Sequence, residues 1–158
     1  MSELGRCAGC SRLERREFLR DIAAMVAGFA GVLPVTFASA LSALGEQVTY
    51  AIPGADGVTI DKDREVILVR YEQSVYAFAL SCPHQKTPLR WQEAEHRFQC
   101  PKHKSKFQPD GVFIEGRATR NMDRYAIRRE GDNVVVDLGT LFKEDENRDG
   151  WISAVVRV

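Results

Sequence analysis

A chain of 158 residues with 44% apolar content has room for one compact domain once any targeting segment is subtracted, and none for a second, catalytic one. Its 22 Lys and Arg balance 22 Asp and Glu, so the charge gives no reason to expect a nucleic acid partner. Four cysteines divide by position: Cys7 and Cys10 stand near the amino terminus, Cys82 and Cys100 mid-chain, and no structural disulfide is implied.

The first feature along the chain is Cys7-Ala8-Gly9-Cys10. One C-x-x-C pair can bind metal or cycle between thiol and disulfide, but it lacks the other ligands of a closed zinc site, which favours two incidental thiols in a leader. Glu14-Arg15-Arg16-Glu17-Phe18-Leu19-Arg20 resembles the twin-arginine export motif and precedes an uncharged run of 23 residues, 22–44. A surface helix would carry charge on one face, so residues 1–44 read as an export signal or a hydrophobic anchor helix. The run is long enough to span a bilayer, which takes about 20 residues. Pro34 interrupts it, however, and Ala38-Ser39-Ala40 has the form of an A-x-A cleavage site. Retention gives an inner-membrane anchor, cleavage a soluble periplasmic protein, and both outcomes stay open. Either way the twin-arginine translocase is an expected partner and the periplasm the expected destination.

From Val48 onward the chain reads as short strands. Residues 64–70 and 74–80 are β-branched and aromatic runs joined by Tyr71-Glu72-Gln73, a hairpin that delivers the chain to Ser81. Pro109-Asp110-Gly111 is a turn, and residues 125–129 and 133–137 form a second hairpin. A final strand is expected over 152–158. Asp145, Asn147, Asp149 and Gly150 imitate the D-x-N-x-D-G start of a calcium loop, but Val156 occupies the twelfth position where a Glu is required, which argues against calcium. With no convincing helix after the export segment, the domain over residues 46–158 is expected to be all-β.

Between the first hairpin and the 109–111 turn lies Cys82-Pro83-His84, then fifteen residues, then Cys100-Pro101-Lys102-His103. The C-x-H and C-x-x-H halves give each of two loops one thiolate and one imidazole. A Rieske [2Fe-2S] centre requires that division, with two thiolates on one iron and two imidazoles on the other. Zinc also takes Cys₂His₂ sets, but its short spacings usually pair Cys with Cys and His with His; a zinc-stabilised binding module is the alternative.

The stretch 81–110, SCPHQKTPLRWQEAEHRFQCPKHKSKFQPD with Gly111 following, resembles the Rieske iron-sulfur family across both cluster loops and the hairpin between them. The resemblance implies a small antiparallel β domain with a two-loop cluster-binding subdomain at about 81–111. It further implies one [2Fe-2S] cluster, Cys82, His84, Cys100 and His103 as the metal ligands, and Ser105 as a hydrogen-bond donor to cluster sulfur. Two departures stand out. Phe107 occupies the place of a phenol common in high-potential members, while Thr87 and Lys102 occupy the places of the family's inter-loop disulfide, so no bridge is expected. Fewer donors mean a lower potential, which points to the middle of the Rieske range of roughly −150 to +300 mV. Gly116-Arg117-Ala118-Thr119 falls where members carry a shielding Gly-Pro-Ala-Pro loop. Both prolines are absent, so looser shielding is expected, and the GRAT version is also similar to arsenite oxidase small subunits.

Lys86, Arg90, Lys102, Lys104 and Lys106 lie within or beside the two loops of a chain whose net charge is zero. Such clustering suggests steering toward an acidic redox partner, either a c-type cytochrome or a catalytic oxidoreductase subunit. The expected function is one-electron transfer in the periplasm, between a membrane or periplasmic oxidoreductase and an acceptor such as a c-type cytochrome. The alternative is the small subunit of a stable complex, of the quinol:cytochrome c oxidoreductase or arsenite oxidase type. No catalytic residue is expected in the chain itself. A Rieske oxygenase is excluded: with three His in all and two committed to the cluster, the two-His-one-carboxylate iron site cannot be assembled. His96 reads as a solvated side chain, and Trp91 and Trp151 as packing residues.

Overall fold

Val66-Ile67-Leu68-Val69 is an apolar run without alternation, the pattern of a strand buried on both faces. In the computed structural model, which describes residues 45–158, it forms the first part of β3 (Val66–Tyr71), and all four residues are buried. Preceding it are β1 (Gln47–Ala51) and β2 (Gly57–Asp61); after a tight turn comes β4 (Ser74–Ala79). The chain then makes β5 (Arg90–Gln92), β6 (Arg97–Gln99), β7 (Lys106–Phe107) and β8 (Phe113–Glu115). It returns through β9 (Arg124–Glu130) and β10 (Asn133–Phe142), a short helix α1 (Arg148–Ser153) and β11 (Val156–Arg157).

These strands form two antiparallel sheets. The larger has the order β1-β10-β9-β4-β3-β2 with β11 added to β4, and the smaller the order β5-β6-β7-β8. The unalternating sequence of β3 follows from its position. Val66 and Leu68 point to one core with Val75, Ala77, Val134, Val136 and Val156, while Ile67 and Val69 point to a second core. That second core contains Phe78, Phe98, Phe107 and Met122 together with Cys82 and Cys100. Phe78 joins the sheets: it lies in β4, yet its ring meets Phe98 of β6 edge-on at 6.3 Å. Gly111 has φ +84°, and a Cβ there would stand 2.4 Å from the Phe78 ring, so the turn after β7 can approach the larger sheet only with glycine.

The hairpins expected over 64–80 and 125–137 are present, although β10 extends five residues further than expected, with a register shift between Asp137 and Leu141. The carboxyl end differs from expectation. Residues 148–153 are helical, and the last strand is confined to Val156–Arg157. The calcium-like segment is this helix's start: the Asn147 side chain accepts from the Gly150 N–H at 2.9 Å as its cap, and Asp145 pairs with Arg120 at 3.5 Å. Two of the imagined calcium ligands are thereby engaged in holding the fold.

Among the described residues, no helix is long and apolar enough to cross a membrane. The twin-arginine motif, the run 22–44, the A-x-A sequence and Cys7 and Cys10 lie outside the described residues.

Candidate metal centre

Each ligand loop is the same turn built twice. In the first, the Cys82 N–H donates to the Thr87 carbonyl at 2.8 Å and the Cys82 carbonyl accepts from the Lys86 N–H at 2.9 Å. In the second, the Cys100 N–H donates to the Ser105 carbonyl at 2.8 Å and the Cys100 carbonyl accepts from the Lys104 N–H at 3.0 Å. Closing these turns takes a left-handed residue at the same place, Lys86 at φ 51° and Lys104 at φ 59°. A left-handed conformation at a side-chain-bearing residue costs on the order of 1 kcal/mol and persists only where the surroundings enforce it. The turns differ in where the imidazole sits, two residues after the Cys in the first and three in the second.

This pair of turns brings all four candidate ligands together. His84 Nδ1 and His103 Nδ1 lie 3.1 Å apart, and both rings are half-buried. Two nitrogens on one tetrahedral metal, with bonds of about 2.0–2.1 Å, would be separated by roughly 3.3 Å. Cys82 and Cys100 are both fully buried free thiols near each other. Among the described residues, no three His, Cys, Asp or Glu side chains gather about a single ion position. The close contacts are within an imidazole pair and within a thiol pair, the division that the two iron atoms of one cluster would take.

Burial pushes the Cys82 thiol up, and the neighbouring Cys100 sulfur adds to the rise; the backbone N–H groups of His84 and Gln85 act in the opposite direction on the same sulfur. Those N–H groups would stabilise a thiolate ligand. His103 is held below the ordinary imidazole value, first by desolvation and then by the charges of His84, Lys102 and Arg117.

Ser105 is wholly buried, and its hydroxyl oxygen accepts from the Ala118 N–H at 2.9 Å. Its own O–H hydrogen finds no acceptor among the described residues. The 116–119 segment thus meets the second loop through Ala118, which is buried, while Gly116, Arg117 and Thr119 are exposed. Phe107 is also fully buried, against Phe113 at 5.8 Å.

The charge around the site differs from the sequence-based expectation. Lys106 pairs with Glu115 across β7 and β8, so it is not a free cation of the tip. Lys86, Arg90, Lys102 and Lys104 are exposed. Arg117, in the 116–119 segment, is exposed and close enough to His103 to act on it. Its distance in sequence hid it; the only signal was its place inside the third loop. His96 is exposed, and Trp91 packs on Phe98 with ring centroids 4.8 Å apart. Trp151 is buried, donating to the Met122 carbonyl at 2.7 Å.

Two loops that present paired thiols and paired imidazoles from a small antiparallel β domain define an iron-sulfur protein. The model of the Rieske [2Fe-2S] domain matches residues 38–126, and the chain belongs to that family. Over 146 residues it is 27% identical to the cytochrome b6-f complex iron-sulfur subunit of Chlorobaculum tepidum, covering 79% of this chain and 76% of that protein. It is 31% identical to the ferredoxin component of the naphthalene 1,2-dioxygenase system of Pseudomonas aeruginosa, over 56% of this chain and 88% of that one. The crystal structure of the plasma membrane Rieske protein PetC3 from Synechocystis PCC 6803 is similar at 26% identity and a TM-score of 0.42, covering 50% of this chain and 82% of that one. Family membership implies one [2Fe-2S] cluster and, with it, electron transfer, and the zinc alternative falls. The donor set fits that cluster: two thiols, two imidazoles, and one buried hydroxyl with a hydrogen still to donate.

Proposed function

We propose that the chain is a periplasmic one-electron carrier in which Cys82 and Cys100 ligate one iron, His84 and His103 the other, and Ser105 donates to cluster sulfur. When bound, a [2Fe-2S] cluster supplies a reversible one-electron couple. The observation that carries the assignment is the two-by-two division of the donors, with the imidazole nitrogens 3.1 Å apart beside two buried thiols. The buried Cys pair anchors the group on the protein side, and the half-buried His pair makes the face that a redox partner meets. Lys102 and Arg117 act on His103, and with Lys86 and Lys104, exposed on the same two loops, they favour an acidic partner, such as a c-type cytochrome. Residues 1–44 serve as twin-arginine signal or membrane anchor and residues 46–158 as the working domain.

The test is spectroscopic. The purified full-length protein should absorb in the visible and give a low-average-g paramagnetic signal when reduced, and Cys82→Ser or His103→Cys should abolish both. A variant that keeps the normal spectrum refutes the ligand assignment. A second reading, a subunit of a stable quinol- or arsenite-oxidising complex, is favoured by the similarity to the cytochrome b6-f subunit over most of this chain. Purification under mild conditions separates the two: co-purifying subunits in fixed stoichiometry support the complex, and a lone Rieske protein supports the carrier.

A further inference from the structure

We propose that Gly116 and Ala118 are positioning residues for the cluster's potential, acting through the hydroxyl of Ser105; the proposal rests on the assignment of Ser105 as a donor to cluster sulfur. A serine hydroxyl has one hydrogen to give and two lone pairs to receive with. In this fold one lone pair is occupied by the Ala118 N–H at 2.9 Å, in a side chain with no exposure to water. Unless held, a hydroxyl rotates to whichever neighbour suits it. Here the third loop holds the oxygen, and the hydrogen has no acceptor among the described residues. The Ser105 carbonyl in turn receives the Cys100 N–H at 2.8 Å, which sets the serine against the ligand loop itself. An N–H donating into the oxygen also polarises the O–H, because hydrogen bonds in a chain strengthen one another. Ala118 therefore both aims the donor and makes it a better one.

Gly116 makes this contact possible. Its φ is +116°, a conformation side chains rarely adopt, and a Cβ there would stand 2.4 Å from Ser105 Cα, 2.8 Å from its nitrogen and 3.0 Å from its Oγ. Two of those three neighbours are backbone atoms that cannot swing aside. Any side chain at 116 must push the loop off Ser105 and lengthen the bond from Ala118. The two prolines absent from this loop are not needed for that function, since the close approach depends on the missing Cβ at 116 and the N–H at 118.

The experiment is a double-mutant cycle on the cluster-loaded full chain, read as midpoint potential by redox titration. Ser105→Ala should lower the potential, and Gly116→Ala should lower it in the same direction by a smaller amount. Combined with Ser105→Ala, Gly116→Ala should add little or nothing, because the group it acts through is gone. Equal shifts from Gly116→Ala in both backgrounds would overturn the proposal and leave a general packing effect; no shift in either would overturn it as well. If Ser105→Ala itself leaves the potential unchanged, the donor assignment fails first, and this proposal with it. Hydrogen exchange keeps the test decisive should Gly116→Ala fail to load. The amide of Ala118, followed by mass spectrometry of a peptide covering 116–120, should exchange at least tenfold faster in Ser105→Ala than in the parent, with protection retained in Ser105→Thr. Unchanged exchange in Ser105→Ala would show that the bond does not hold the loop.

Discussion

β3 pairs with β4 along six residues, and its first four side chains are buried in two cores at once; β6 and β7, three and two residues long, pair at only two positions. The larger sheet is thus stabilised by ladders and apolar burial that the chain supplies itself. The smaller sheet, which carries the ligand loops, has little ladder to offer. What it has instead are two buried phenylalanines, Phe98 and Phe107, two doubly bonded turns with left-handed lysines, and the four candidate ligands. The contrast teaches that the chain builds a platform held by its own ladders and mounts on it a tip with little ladder, to which a bound metal would add order, since binding energy at such a site is folding energy.

Removing the metal should break the comparison open. Chelation under reducing conditions is expected to expose the Cys82, Lys86, Cys100 and Lys104 amides to rapid hydrogen exchange while β3 and β10 remain protected, the behaviour of separate cooperative units. Loss of protection everywhere at once would show that platform and tip are one unit. A thiol reductant without chelator should leave the cluster in place, because the described cysteines are free and no bridge ties the loops.

Phe78 belongs to both regions, so its truncation tests how strongly they are joined. Phe78→Ala leaves a cavity between the Gly111 turn and Phe98 and should cost about 3–5 kcal/mol by denaturant unfolding, with reduced cluster retention. Unimpaired cluster retention would mean that the tip does not lean on the platform at this point.

Charge at the tip should affect encounter and leave the fold alone. Lys102→Glu with Arg117→Glu is expected to slow electron transfer to an acidic acceptor roughly tenfold at low salt, with the difference shrinking as salt screens beyond about 8 Å. An unchanged rate at every ionic strength would show that the partner docks through other contacts.

The smallest effect lies on the platform's edge. The Arg64 backbone N–H, followed by the Tyr50 hydroxyl at 2.9 Å, holds the Asp61 carboxyl below the usual carboxylate range. Because its folded value lies below its unfolded one, its stabilisation is complete above the unfolded value and is lost as pH falls through the folded value. Asp61→Asn should therefore be less stable than the parent near neutrality, and the two should converge as pH falls through and below the ordinary carboxylate range in urea titrations. A gap that persists in acid would place the effect in the turn geometry and not in the charge.

Much of this was legible in order along the chain. The C-x-H and C-x-x-H halves marked both ligand loops because the residues that close on each metal turn are neighbours in sequence, and the 64–80 hairpin showed in its β-branched runs. The helix at 148–153 was not legible: its cap, Asn147, sits in a pattern that also starts a calcium loop, and only the pairing of Asp145 with Arg120 and the capping bond to Gly150 distinguish them. Lys106 looked like one more cation of the tip because its partner, Glu115, faces it from the next strand.

By itself, then, the sequence determined the all-β character and the placing of one Cys and one His in each of two loops, since each depends on residue types within a few positions of one another. Tertiary structure alone decided which charges stay free, that Arg117 joins His103, that Phe78 reaches from one sheet into the core of the other, and that Ala118 reaches the Ser105 hydroxyl. The physical reason is common to all four. A hydrogen bond, an ion pair or a packed ring acts over a few ångströms, and folding brings residues within that range whose separation along the chain carries no trace of it.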